Sequence, residues 1–124
     1  MPKTDKERET LTLTVETACA AIGDKLGTDI TVLDIAPLSP VADFFIIATA
    51  RNQNQLRAIA DTVEEKLLEN GVKLKHAEGY PGNKWILMDF GAIIIHLFTE
   101  SERVFYNLER VWGDARRVSP VKRE

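Results

Sequence analysis

Between Trp85 and Phe98 the chain reads W-I-L-M-D-F-G-A-I-I-I-H-L-F, with Asp89 its only formally charged side chain. Two strand-like apolar runs meet at Gly91, and the second passes directly into an amphipathic stretch ending at Trp112. A sheet with one face in water alternates polar and apolar positions. These runs do not, so both faces of the strands need cover. One cover is expected from helices of the same chain, and the other face is open to a partner.

The segments before and after supply those helices. Leu11, Val15, Ala18, Cys19, Ile22 and Leu26 form one apolar stripe, the signature of a helix. Thr4 and Glu7 have the spacing of a capping box, and Gly23 or Gly27 is placed to end the helix. Asp29 to Ile35 is rich in β-branched residues and reads as a strand, broken by Pro37, Ser39 and Pro40. Asp43 to Ala48, D-F-F-I-I-A, reads as a strand buried on both faces, with Asp43 at its entrance. After a polar connection from Thr49 to Asn54, a second helix carries Leu56, Ile59, Ala60, Val63, Leu67 and Leu68, with Asn52 as N-cap and Asn70-Gly71 as stop.

Val72 to Glu78 reads as a short strand and Gly79 to Asn83 as a tight reversal. Strands then run from Trp85 to about Phe90 and from about Ala92 to Phe98, on either side of a turn at Gly91. Thr99 and Glu102 repeat the capping-box spacing. A third helix follows, with Val104, Phe105, Leu108, Val111 and Trp112 as its stripe and Gly113 as its end. The expected fold is an α/β sandwich with a mixed sheet of about five strands flanked by helices. One domain over residues 1–115 and a charged, flexible tail over 116–124 account for the whole length.

Composition limits the function. With one cysteine, Cys19, on the apolar side of the first helix, no intrachain disulfide or thiolate metal cluster can form. A net charge of -3 gives no broad positive field for phosphates, so little direct nucleic-acid contact is expected and a basic protein partner suits the balance. No apolar run reaches the ~20 residues that span a bilayer, and the first ten residues lack a signal-peptide core. A soluble, cytosolic protein is expected.

Chemistry is sparse. A His96–Asp89 pair across the turn at Gly91 would have the parts for acid–base work, but no nucleophile or metal site accompanies it. A polar pair that holds the hairpin or meets a partner is the better reading. Asp34, Asp43, Asp61 and Asp89 form no D-x-D or E-x-x-H pairing and His76 stands alone, so neither metal nor cofactor is indicated. The turn before the second helix is a weak anion site, because Ala48 to Asn54 contains no glycine to wrap a phosphate. Phe105 and Trp112 read as core. Tyr80, Trp85 and Tyr106 sit where aromatics keep one wet edge, as binding hot spots do.

A-D-F-F-I-I-A-T-A from Ala42, L-R-A-I-A-D from Leu56, G-N-K-W-I-L-M-D-F-G from Gly82, I-I-I-H-L-F from Ile93 and S-E-R-V-F-Y-N-L-E-R-V-W from Ser101 resemble the ribosomal silencing factor, or Iojap-like, family over about residues 10 to 115. The chain departs from the family's pattern at Ala50-Arg51-Asn52-Gln53-Asn54, where a turn with Gly and Ser is usual, and at Ala92, where an Asp is usual. The resemblance implies a nucleotidyltransferase-like fold without transferase activity. It also implies a translational repressor that binds ribosomal protein L-fourteen on the large ribosomal subunit and blocks joining by the small one. On that reading Tyr80, Trp85, Asp89, His96 and Tyr106 are the partner contacts. The alternatives are a nucleotide-binding or nucleotidyl-transferring enzyme that uses the Thr49–Asn54 turn and Asp89, and a homodimer formed through the exposed part of the sheet.

Overall fold

The computed structural model describes residues 4–79 and 84–118. At its centre lies a parallel pair of strands, β2 (Phe44–Ala50) and β5 (Ile93–Thr99), in unbroken register from Phe44↔Ile93 to Ala50↔Thr99. Every residue of both is buried, as the uncharged sequence of this stretch requires. β1 (Thr28–Asp34) pairs antiparallel with β2, and β4 (Trp85–Asp89) pairs antiparallel with β5. Short edge strands complete the sheet: β3 (His76–Glu78) beside β4, and β6 (Arg116–Val118) beside β1.

The order β3-β4-β5-β2-β1-β6 is a six-stranded mixed sheet, one strand beyond the sequence expectation. The added strand, β6, opens the stretch assigned to a loose tail. It is placed by pairing and charge rather than by any apolar pattern: Val118 pairs with Val32 and Arg116 with Asp34. The buried Asp34 carboxylate accepts from Arg116 at 3.2 Å and from Arg8 at 3.5 Å. Residues 119–124 lie outside the described set. β3 is shorter than expected, because Val72 and Leu74 pack on the core from a connecting segment rather than from a strand.

On one face of the sheet α1 (Asp5–Asp24) and α2 (Gln53–Glu69) lie side by side. Val15, Ala18, Cys19 and Ile22 of α1 and Leu56, Ile59, Val63 and Leu67 of α2 meet Phe44, Ile46, Ile93, Ile95 and Leu97 of the central strands. The Thr4–Glu7 capping box forms, and Asn52 Oδ1 caps α2 by accepting from the Gln55 N–H at 2.8 Å. Burial pushes the Cys19 thiol up to about 12, which keeps it protonated and inert. The end of α1 departs from expectation. Leu26, at φ 65°, takes the left-handed position that Gly23 or Gly27 was expected to fill. Gly27 serves packing instead, since a Cβ there would overlap Ile22 Cγ2.

The opposite face carries two short helices, α3 (Glu100–Tyr106) and α4 (Leu108–Val111), where one was expected. Asn107, at φ 47° and ψ 55°, breaks them apart, a conformation that asparagine tolerates better than most residues. The break redirects the apolar stripe. Leu108 and Trp112 turn down onto the sheet, whereas Val104 and Val111, expected in the core, stand in solvent; the side chain of Phe105 is outside the described set. The second capping box does not form: the Thr99 side chain makes no cap bond, because it is buried against the sheet as the last residue of β5.

A polar tie holds these helices down. The Arg103 guanidinium donates to the Asp29 carbonyl, to Thr49 Oγ1 at 2.9 Å, to Thr31 Oγ1 at 2.9 Å and to Glu109 Oε2 at 2.7 Å. Asp29 belongs to an irregularity in β1, where the register shifts between Thr28 and Thr31 and its own φ is 49°. Burial alone would raise the Glu109 carboxyl, but the Arg103 hydrogen bond and charge, helped by Arg117, hold it below its usual value. One arginine thus joins α3, α4, β1 and β2.

Replacing Arg103 with alanine should destabilise the domain by roughly 2 kcal/mol, since Glu109, Thr31 and Thr49 lose their partner in a half-buried setting. Urea unfolding measures this. Hydrogen exchange should quicken in α3 and α4 before it does in α2, and a loss spread evenly over the chain would contradict the tie.

Candidate functional site

Alternation along the strands decides which side chains reach the face beneath α3 and α4. Ile86 and Met88 of β4 turn to the α1/α2 core, so Trp85, Leu87 and Asp89 point the other way. On β5 the same rule sends Ile94, His96 and Phe98 to this face, and on β2 it sends Phe45 and Ile47. The register sets Trp85 opposite Phe98, Leu87 opposite His96 and Asp89 opposite Ile94. The two short helices cover the β1, β2 and β5 part of this surface. Over β4 and β3 it stays half open, with Trp85 and Leu87 half-buried and Tyr106 39% exposed.

Rings organise the boundary between covered and open. Trp85 stacks on Phe98 with centroids 5.2 Å apart, and Tyr106 of α3 lies against Trp85 at 4.6 Å and against Phe98 at 5.9 Å. Phe45 meets Trp112 edge-on at 5.2 Å and His96 edge-on at 4.9 Å. Such pairs fix ring orientation as well as burying area. Trp85 and Tyr106 are therefore presented as a rigid pair.

His96 lies beneath the Trp85 ring. It is buried, and its Nδ1 accepts the Trp85 indole N–H at 3.3 Å. Because an indole nitrogen only donates, that bond puts the imidazole proton on Nε2, which is buried without a hydrogen-bond partner among the described residues. Desolvation lowers the His96 pKa to about 4, so the ring is neutral at physiological pH. His96 orients Trp85 from beneath.

The His96–Asp89 pair does not form. Asp89 lies beside Ile94 on one side and His76 on the other, and its Oδ1 accepts the Gly91 N–H at 2.7 Å. Gly91 has φ 95°, so the carboxylate stabilises a turn that only glycine enters cheaply. Among the expected contacts, then, Trp85, His96 and Tyr106 converge, Asp89 stands apart on the same face, and Tyr80 lies outside the described residues.

Leu87 and Glu78 were not singled out from the sequence, and Glu102 only as a helix-cap partner, yet all three border the Trp85–Tyr106 pair. Period-two counting from Trp85 would have found Leu87; Glu78 and Glu102 approach only through strand pairing and the placement of α3. At the other candidate site, the turn before α2, the Arg51 N–H donates to Gln55 Oε1 and the Gln55 N–H to Asn52. Those donors satisfy the chain itself. No group of three or more His, Cys, Asp or Glu residues among the described residues is placed to hold a metal ion, and no described helix is long and apolar enough to cross a membrane.

Comparisons with known proteins agree with this architecture. A family model described as "Ribosomal silencing factor during starvation" matches residues 7–124. The Bacillus subtilis ribosomal silencing factor is 42% identical over 98 residues, covering 79% of this chain and 83% of the relative. The chloroplastic Iojap protein of Arabidopsis thaliana is 40% identical over 114 residues, covering 92% of this chain and 47% of the relative. A crystal structure of a Chromobacterium violaceum protein superposes with a TM-score of 0.80 at 31% identity, covering 87% of this chain and 89% of the other.

The buried imidazole makes stability depend on pH. Its folded pKa, about 4, lies below the unfolded value of about 6.5, so the unfolded chain binds more protons between these limits and stability falls as pH drops through the window. From pH 7.5 to pH 5 the wild type should lose about 2 kcal/mol more than His96→Phe, measured by urea unfolding. Equal losses in both proteins would show that His96 is not desolvated as described.

Proposed function

The chain belongs to the ribosomal silencing factor family, and on that premise we propose that it represses translation by binding the large ribosomal subunit through ribosomal protein L-fourteen. A domain seated there stands where the small subunit docks, and so prevents joining sterically. Repression under nutrient limitation or in stationary phase, in the cytoplasm, follows from the same reading. The mechanism needs affinity and bulk and no bond-breaking step.

The half-covered sheet face carries this reading. It offers Trp85, Leu87 and Tyr106 as an apolar centre with charged residues at its edge, the arrangement that protein interfaces use. Trp85 is held by His96 below and by Phe98 and Tyr106 at its sides. An anchor fixed before binding loses little side-chain entropy when a partner closes over it. A homodimer through this face would bury the same residues, and sedimentation velocity of the purified chain tests for it. The nucleotide-binding alternative draws nothing from the turn before α2, whose Arg51 and Gln55 N–H groups are bonded within the chain.

Co-sedimentation with isolated large subunits, followed by addition of small subunits, tests the proposal without any nucleotide. The wild type should pellet with the large subunit and reduce the yield of joined ribosomes. Trp85→Ala, with folding checked by circular dichroism, should bind weaker by about 2 kcal/mol, or roughly 30-fold. A chain that stays in the supernatant and leaves joining unaffected refutes the proposal.

A further inference from the structure

Beside the Trp85–Tyr106 pair lies a cleft of about 270 Å³, bounded by Glu78 and Gly79 at the end of β3, Lys84 just before β4, Trp85 and Leu87 of β4, and Glu102 and Tyr106 of α3. Among the described residues, two carboxylates and one ammonium group give this lining one net negative charge. Two aromatic rings in contact at 4.6 Å form part of its wall. Glu102 is half-buried on α3, and Glu78, across the cleft, accepts from His76 at 2.8 Å through Oε2.

Negative charge next to an aromatic face is the chemistry that receives a cation. A ring attracts positive charge through its quadrupole, and a carboxylate beside it supplies charge-assisted hydrogen bonds. A guanidinium fits both demands, because its plane stacks on a ring while its edge presents a fork of donors to a carboxylate. An ammonium group is a strongly hydrated point charge and gains less from the ring. The cleft opens on the surface already read as the docking face, so its occupant would arrive on the docked protein.

We infer that this cleft takes an arginine side chain from the protein surface on which the domain docks. The inference rests on reading the face as a ribosome-binding surface, and it adds what that surface must present: an arginine projecting beside an apolar patch. Glu102 is the principal carboxylate partner, Glu78 the second, and Trp85 with Tyr106 the stacking wall. Lys84 disfavours a second cation, so the cleft accepts one basic side chain rather than a run of them.

Two measurements on the full chain test this, the first of them independently of the ribosomal reading. The first follows the Trp85 indole N–H by nitrogen-15 NMR, assigned with Trp112→Phe, during titration with N-acetyl-arginine amide and with its neutral isostere N-acetyl-citrulline amide. The arginine probe should shift the resonance in the millimolar range, the citrulline probe should shift it far less, and Glu102→Gln should remove most of the difference. The second is large-subunit binding, in which Glu102→Gln should weaken affinity about tenfold and flatten the salt dependence; Glu78→Gln should weaken it less. Equal shifts from the two probes, or no shift with either, overturn the inference, as does unchanged subunit binding by a folded Glu102→Gln. Arginine-selective shifts in a wild type that does not bind subunits would refute the ribosomal reading and leave the cleft's preference standing.

Discussion

The parallel pairing of β2 with β5 is the constraint from which the rest of the structure follows. Two adjacent strands without an exposed residue cannot face water on either side, and parallel strands cannot be joined by a tight turn. The connection between them therefore carries α2 over one face and returns through the β3–β4 edge. α1 lies beside α2 and completes the cover of that face. The larger core is closed by elements that precede and connect the pair.

Among the described helices only the short α3 and α4 lie over the second face, and that shortage leaves part of it open. α3 and α4 are too short to span the sheet. They are set over β1, β2 and β5 by the bonds from Arg103 to the irregular start of β1, to Thr49 and to Glu109. The uncovered remainder lies over β4, where Trp85 and Leu87 are half-buried. Tyr106, on the last turn of α3, rests on Trp85 at the border. The cover of one part of this face and the exposure of the other thus depend on the same arginine tie and the same ring stack.

Much of this was legible in the residues alone. Strand burial was readable from the lack of charge between Trp85 and Phe98, and the α1 and α2 faces from their stripes. The Thr4 and Asn52 caps were readable as short-range patterns. Where reading failed, the deciding contact was distant in sequence. R-R-V at 116–118 becomes a strand because Val32 and Asp34 accept it, and no window around it carries a signal. Leu26 takes the left-handed turn because Gly27 is committed to contact with Ile22. The helix expected through Trp112 breaks at Asn107, where Leu108 and Trp112 gain the core at the cost of exposing Val111.

The sequence by itself determined the class of fold and the order of its main elements, because periodicity, capping and uncharged runs are local properties of a chain, and its motifs carried the resemblance to the family. Tertiary structure decided the roles at the site. Asp89 and His96 look like a pair when only the turn at Gly91 is considered, but register sets Leu87 opposite His96 and Ile94 opposite Asp89. The histidine is then buried under the tryptophan and the carboxylate is bonded within its own turn. Which residues share a face follows from alternation along each strand; which of them touch depends on register, and register is set by pairing across the whole sheet.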